Sequence, residues 1–455
     1  TGSGGSIRLR VDGLNILEGG LVSAASFGPG DAGLVDVDVA NTLLIDGLGV
    51  PTGGITNNAF FSGEGGPITV DAGSIDIRSG LIQAVAVADG NAGDIAVTTG
   101  PLSIDGGGGI EVSSLGAGTA GSIRIAATDI TISGAFDNTD LNTRSAIAAD
   151  SQNAGQTGSI DIVADTLTLT SAGQLELSTR SSDPTNAPGE LRLRARQLTI
   201  VDRAGKDTGI LARTTGAAPG GLVDLDIGTL HMDGGSIVAT SAGEGSGGAI
   251  DLNFADSIRL ENDALISSRA EGVGDAGSLA IAGSGSALIA SGSAISSDAV
   301  QSQGGDVSLV TPGLLELRDG KVVASAGADG NGGNVSVDVG LLLMDHGDLL
   351  AEAEAGNGGE VNLSAQGFMI DPTSTISADS DTGSAGEVVV AAPNDDVSGA
   401  VKAQDAGAIT VPDLIQGCGA VGDSGQSTLR ITTTRKDPIP SDYMALSHGK
   451  AQDDC

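Results

Sequence analysis

A right-handed parallel β-helix of about fourteen coils with a short C-terminal cap is the fold class this all-β sequence predicts, and three observations predict it. Glycine supplies 74 of the 455 residues and is spread evenly along the chain. A turn glycine followed by a short alternating strand, Gly-x-apolar-x-apolar, returns about every 28 residues. Large rings are nearly missing, with 6 Phe, 1 Tyr and no Trp, while Ile, Val, Leu and Ala carry most of a 39% hydrophobic content. Length alone suggests about three globular units. An even repeat suggests one stacked array instead.

The turn glycines are Gly5, Gly33, Gly66, Gly93, Gly121, Gly158, Gly189, Gly221, Gly248, Gly277, Gly305, Gly333, Gly359 and Gly386. Side chains two apart share a face of a strand, so the apolar residues after each glycine form the first strand of a coil. A second apolar pair follows, as in Ile75/Ile77, Ile130/Ile132, Leu198/Ile200 and Leu315/Leu317. A third apolar position comes later, at Leu21, Ile82, Ile110, Leu175, Ile237, Ile295, Val322 and Ile376. Each period thus predicts three short strands separated by turns. Helices are excluded because the spacing is 2 rather than 3.6 and glycine interrupts every long window.

Three short strands cannot bury an apolar face alone. Stacked coil on coil they pair in parallel and enclose one core. Parallel crossover connections are right-handed by default. The interior is narrow, so small and branched side chains stack where rings do not fit. The glycines are expected to supply positive φ and close backbone approach at the corners.

The second-strand pair fails after Gly386, where Asp395, Asp396 and Val397 stand. The β-helix is therefore placed at 1–395, a cap or transition at 396–417 and a cysteine-bounded segment at 418–455, with Gly407-Ala-Ile409-Thr-Val411 as the capping strand. Thr1 to Gly5 enters directly into a coil, which reads as a fragment or a processed chain whose first edge needs an upstream coil or a partner. Three consecutive periods are long, with insertions at 134–146, 180–188 and 202–209 that are expected to form one lateral patch or to be tolerated loop variation. Asn57 to Phe61 is a fourth insertion, and its Phe60-Phe61 pair is expected as a core plug or an exposed contact.

The formal charge of −37 argues against nucleic acid and anionic lipid, which need clustered Lys and Arg. No stretch approaches the roughly 20 apolar residues of a membrane-spanning helix. Asn138-Thr139-Asp140, His346-Gly347 and Asp395-Asp396 lie too many coils apart to form a catalytic carboxylate set, so no enzyme is predicted. His231, His346 and His448 look isolated and give no metal-ligand pair. The turn residues Asp31, Asp89, Asp275 and Asp329 are several coils apart, which predicts no calcium ladder and no cofactor. Cys418 and Cys455 are the two cysteines; in an oxidising compartment they are expected to pair, two free thiols being the alternative. The loop so closed would contribute about 3–4 kcal/mol in the chain-entropy picture.

These residues carry a likeness. The repeated Gly-x-Ile-x-Val, Leu-x-Ile, Gly-x-Ile-x-Ala coils resemble the filamentous haemagglutinin-like exoproteins of two-partner secretion. The tail is similar too: Leu414-Ile-Gln-Gly-Cys418, then Ser427-Thr-Leu429-Arg-Ile431-Thr432, then Pro438-Ile-Pro440 and Ala445-Leu446, although Thr433-Thr434-Arg435 stands where the group has Gly-Arg-Gly-Gly. The resemblance covers nearly all the chain and implies its C-terminal β-helical part, since the N-terminal secretion domain with its Asn-Pro-Asn motifs is not in this sequence. It implies a non-enzymatic rod on the cell surface or outer membrane, exported through an outer-membrane β-barrel transporter and acting as an adhesin toward a glycan or protein, or in surface layering. Cys418 and Cys455 sit where some relatives hold an anchoring cysteine loop. Two alternatives stand beside it: an end-to-end filament through self-association, and a polysaccharide-active enzyme, which a carboxylate cluster with Lys or Arg on one face of adjacent coils would favour.

Overall fold

The structure, a computed structural model, describes residues 3–48, 53–137, 142–153, 155–202, 205, 207–328, 330–393 and 428–434. Their regular elements are all strands. The strands stack in parallel as a solenoid of about 13 turns with a spacing near 28 residues. One sheet has 19 strands and a second has 13, and the chain passes from the first to the second once per coil. At ~4.8 Å between neighbouring strands, thirteen rungs span on the order of 60 Å.

Alternation explains why each segment is a strand with one wet side. In Val35–Asp46, Val35, Val37, Val39, Leu43 and Ile45 are buried while Asp36 and Asp38 face outward. Register then stacks like on like. One inward column passes from Ile7 through Val35, Ile68, Ile95, Ile123 and Ile160, and on through Leu191, Val223 and Ile250. It continues through Leu279, Val307, Val335 and Val361 to Val388. Each such buried aliphatic contributes roughly 1.5–3 kcal/mol. Phe254 is the one phenylalanine within the buried core, and Gly283 opposite it in the next coil makes room: an added Cβ there would lie 2.4 Å from the ring.

Several expectations need adjustment. The first two strands of a coil run on as one bent strand in most coils, for example Ser159–Thr170 and Leu222–Gly234. The described residues make about 13 coils where about fourteen were expected, and of the period begun at Gly386 they include Glu387–Pro393. Leu21 faces outward at 59% exposure, and Val22 takes the inward position in register with Ile55. The strand over the last coil is Thr428–Thr434, parallel to Glu387–Pro393. The expected capping strand at Gly407–Val411 lies outside the described residues, as do Asp395, Asp396, Cys418, Cys455 and His448.

The two corners of a coil use different chemistry. At the return from the second sheet to the first, an added Cβ on Gly277 would lie 2.0 Å from the carbonyl oxygen of Gly248, and one on Gly248 2.1 Å from that of Gly221. The same close approach recurs at Gly33, Gly66, Gly93, Gly121, Gly158, Gly305, Gly333 and Gly359, each against the turn glycine one coil before it. None of these has positive φ. The left-handed residues lie at the other corner, where non-glycine residues share the role with glycines such as Gly106 and Gly234: Glu18, Ser79, Ser171, Asn262, Ser291, Asp319 and His346 have φ between 51° and 57°. Glycine is thus required at the return corner by the missing side chain, not by the backbone angle.

Candidate functional site on the outer face of the second sheet

Two of the three insertions meet. Residues Ala135–Asp137 and Asn142–Arg144 form an antiparallel hairpin at the corner leading into the second sheet. The 202–209 insertion leaves the same corner two coils on, and Arg144 Nη2 reaches Asp207 Oδ2 at 2.9 Å across the intervening turn. Below that ion pair, Gln174 donates to the Asp207 carbonyl at 2.6 Å and Ala172 N–H donates to Thr208 Oγ1 at 2.9 Å. The 180–188 loop does not join them. It follows Gln174–Thr179 and so leaves the opposite edge of the sheet, folded on itself by Thr185 donating to Asp183. Those hydrogen bonds hold the Asp183 carboxyl below its usual range.

The hairpin borders a charged column on the sheet's outer face. Parallel register aligns Gln83, Glu111, Ala148, Glu176 and Leu211, and beside them Ser113, Asp150, Ser178, Arg213 and Thr240. Glu111 and Glu176 are two rungs apart, about 10 Å along the axis, with the small Ala148 between them. Burial pushes both carboxyls up; the Gln83 hydrogen bond opposes this at Glu111, and the positive charge of Arg213 opposes it at Glu176. Gln83 Nε2 donates to Glu111 Oε2 at 3.1 Å, and Asp150 accepts from Ser178 and Gln152.

Arg213 also begins a furrow of about 570 Å³ running over the next three rungs. Its floor includes Val238, Ser267 and Ser296, and its rim includes Arg269, Glu271 and Asp298. Both floor serines are buried although they point outward, and Ser296 Oγ donates to Ser267 Oγ at 3.0 Å. Sequence reading missed this face because its residues come from separate periods and share no motif. The signal available was the outward column itself: three residues past the third-strand apolar positions Ile147, Ile210, Ile266 and Ile295 stand Asp150, Arg213, Arg269 and Asp298.

Other expected positions resolve as follows. Asn138, Thr139, Asp140 and Asp329 lie outside the described residues. His346 is not isolated: Nδ1 lies 2.9 Å from Asp345 Oδ1, and donor atoms of Asp345, His346 and Asp371 lie within 4.8 Å of one another. Asp371 is nevertheless committed to its turn, accepting from His346 N–H, Thr373 N–H, Thr373 Oγ1 and Ser374 Oγ, which hold its carboxyl far below the usual range. Its partner Asp345 raises the His346 imidazole. His231 stands on the outer face of the first sheet, between Thr199 and Arg259.

Among the described turn aspartates, Asp275 begins a ladder that other acceptor side chains continue. Asp275 Oδ1 accepts from Gln303 N–H, Gln303 Oε1 from Asn331 N–H, Asn331 Oδ1 from Asn357 N–H and Asn357 Oδ1 from Ser384 N–H, at 2.8–3.3 Å. Asp31 does the same for Glu64 and Asp89 for Ala117. Each side chain ties its coil to the next.

Phe60 and Phe61 are not a core plug, being 37% and 55% exposed; the buried residues of that insertion are Ala59 and Asn57, and Asn57 donates to the Gly33 carbonyl. Phe60 stacks on Phe27 with ring centroids 4.7 Å apart and planes 11° from parallel. Val87 and Leu115 extend this exposed apolar ladder over the next two coils.

No family model matches this chain, and no curated protein or solved structure matches it.

Proposed function

We propose that this protein is a non-enzymatic surface rod of the filamentous haemagglutinin type, an adhesin that presents its outer faces to a glycan or protein. The observation that carries the reading is the single uninterrupted core: one aliphatic column runs from Ile7 to Val388, so the molecule is rigid along its length and offers side faces rather than an enclosed pocket. The exposed Phe27–Phe60 ladder and the charged outer face of the second sheet support a role in contact. In this reading the chain leaves the cell through an outer-membrane β-barrel transporter, and the segment from Cys418 to Cys455 caps or anchors it.

Latex beads coated with the protein should adhere to cell surfaces, and proteolytic shaving of intact source cells should release it. Retention wholly inside the cells would sink the proposal. Replacing Cys418 with Ser should shift protein to the medium if the segment is an anchor.

Two other readings stand beside it, one of them end-to-end assembly of rods through self-association. Glu111 and Glu176, with Arg144 and Arg213 beside Glu176, provide the carboxylate and cation cluster that a polysaccharide-active enzyme would need. Binding is preferred because Glu111 already accepts from Gln83 and lies against Gly109, where an added Cβ would sit 2.9 Å from Oε1. Sedimentation of rods at high concentration and reducing-end release from polysaccharides test these two readings.

A further inference from the structure

We infer that the furrow on the outer face of the second sheet binds a linear, uncharged polysaccharide lying along the rod axis. The inference rests on the reading of the protein as a surface-binding rod and names its ligand class. Three features carry it: the geometry of the repeat, the chemistry of the lining and the charge around it.

The furrow is built from equivalent positions of successive coils. Val238, Ser267 and Ser296 follow one another along its floor, and Arg213, Thr240, Arg269 and Asp298 along one rim. Each step is one strand spacing, ~4.8 Å. A chain of pyranose rings extended along the axis therefore meets a polar or charged rim side chain at nearly every ring.

The lining is suited to hydroxyl groups. Ser267 and Ser296 place two buried hydroxyls in contact on the floor. Arg269 stands 3.9 Å from Glu271, and Asp298 accepts from Ser325 Oγ at 2.7 Å. The Arg269 and Glu271 side chains are half exposed, so their remaining donors and acceptors face the furrow mouth and can span vicinal hydroxyls. No aromatic ring lines the furrow, so ring stacking is not the source of affinity. Repetition of polar contacts over several rungs replaces it.

Charge selects a neutral chain. The rim guanidinium groups of Arg213 and Arg269 are matched by the carboxylates of Glu271 and Asp298. Outside the furrow the protein carries a net −37, which repels a polyanion. A uronate-rich or sulfated chain therefore meets no excess of positive charge here.

The test uses the full chain and six-residue oligosaccharides of β-1,4-glucan, β-1,4-mannan and β-1,3-glucan, with oligogalacturonate as the anionic comparison, measured by titration calorimetry. At least one neutral oligomer should bind. Arg269→Ala and Asp298→Asn should each weaken it about tenfold or more, since each removes a charged hydrogen-bonding group. Arg318→Ala, at an exposed ion pair on the first sheet, should leave binding unchanged. Thermal melts of the variants should match the parent. Binding only to oligogalacturonate overturns the neutral assignment, and binding indifferent to Arg269 and Asp298 overturns the furrow. If no oligosaccharide binds while coated beads still adhere to cells, the glycan inference fails and the surface rod stands. If adhesion fails as well, both fall.

Discussion

Replacing Gly277 with Ala tests why glycine recurs in this chain. An added Cβ would lie 2.0 Å from the Gly248 carbonyl oxygen and 2.6 Å from its carbon, so the 274–278 turn must recede by about 1 Å to restore even a 3.0 Å contact. Two hydrogen bonds to the preceding coil cross that gap: Gly247 N–H to Asp275 O at 2.7 Å and Ile250 N–H to Ser278 O at 3.0 Å. A 1 Å retreat stretches both past hydrogen-bonding distance. Each is worth about 0.5–1.5 kcal/mol, and overpacking adds about 1–3 kcal/mol. The expected loss is about 2–6 kcal/mol, concentrated in two coils. The comparison is Gly28→Ala, where nothing lies within 4 Å of the added atom. A stacked array does not unfold as one unit, so the readout is amide hydrogen exchange at residues 247–250 and 275–279. Faster exchange there in Gly277→Ala, and parental exchange in Gly28→Ala, is the expected result. Equal behaviour of the two variants would refute the close-approach explanation.

The ladder of side-chain acceptors predicts that Asn331→Ala loosens the turn at Asn357, whose N–H loses its acceptor, and costs about 1 kcal/mol, whereas Asn331→Asp keeps the acceptor and costs little; local hydrogen exchange separates them. Glu111, raised by burial, holds its proton more tightly in the folded state. Its contribution is therefore fully present below the unfolded value of about 4.3 and lost as pH rises through the folded value. Glu111→Gln should slow amide hydrogen exchange across Gly109–Ser114 relative to the parent at pH 7 and leave it unchanged near pH 3.5. Arg144→Ala removes a largely solvated ion pair and should change global stability by less than about 1 kcal/mol while speeding proteolysis of the 135–144 hairpin.

The inward half of the molecule was legible in the sequence because burial repeats with a local period. Ile75/Ile77 or Leu315/Leu317 need only alternate with polar residues to define a buried face, and each coil then places them over their equivalents. Leu21 was misplaced because two adjacent apolar residues, Leu21 and Val22, leave the face undecided until register with Ile55 fixes it. The Asp275 to Asn357 ladder was overlooked because a search for aspartate alone passes over Gln303 and Asn331, which offer the same acceptor oxygen.

The sequence by itself determined the solenoid, its period and the aliphatic columns, because period-2 alternation and glycine spacing act over a few residues. Tertiary structure alone decided which corner holds the left-handed residues and why glycine is needed at the other. It also decided what meets on the outside: Arg144 with Asp207, Glu111 with Gln83, and Arg213 with the serine-floored furrow. These pairings depend on how many residues each preceding coil spends in its turns. That count sets the register of outward side chains between rungs, and outward side chains carry no hydrophobic pattern to reveal it.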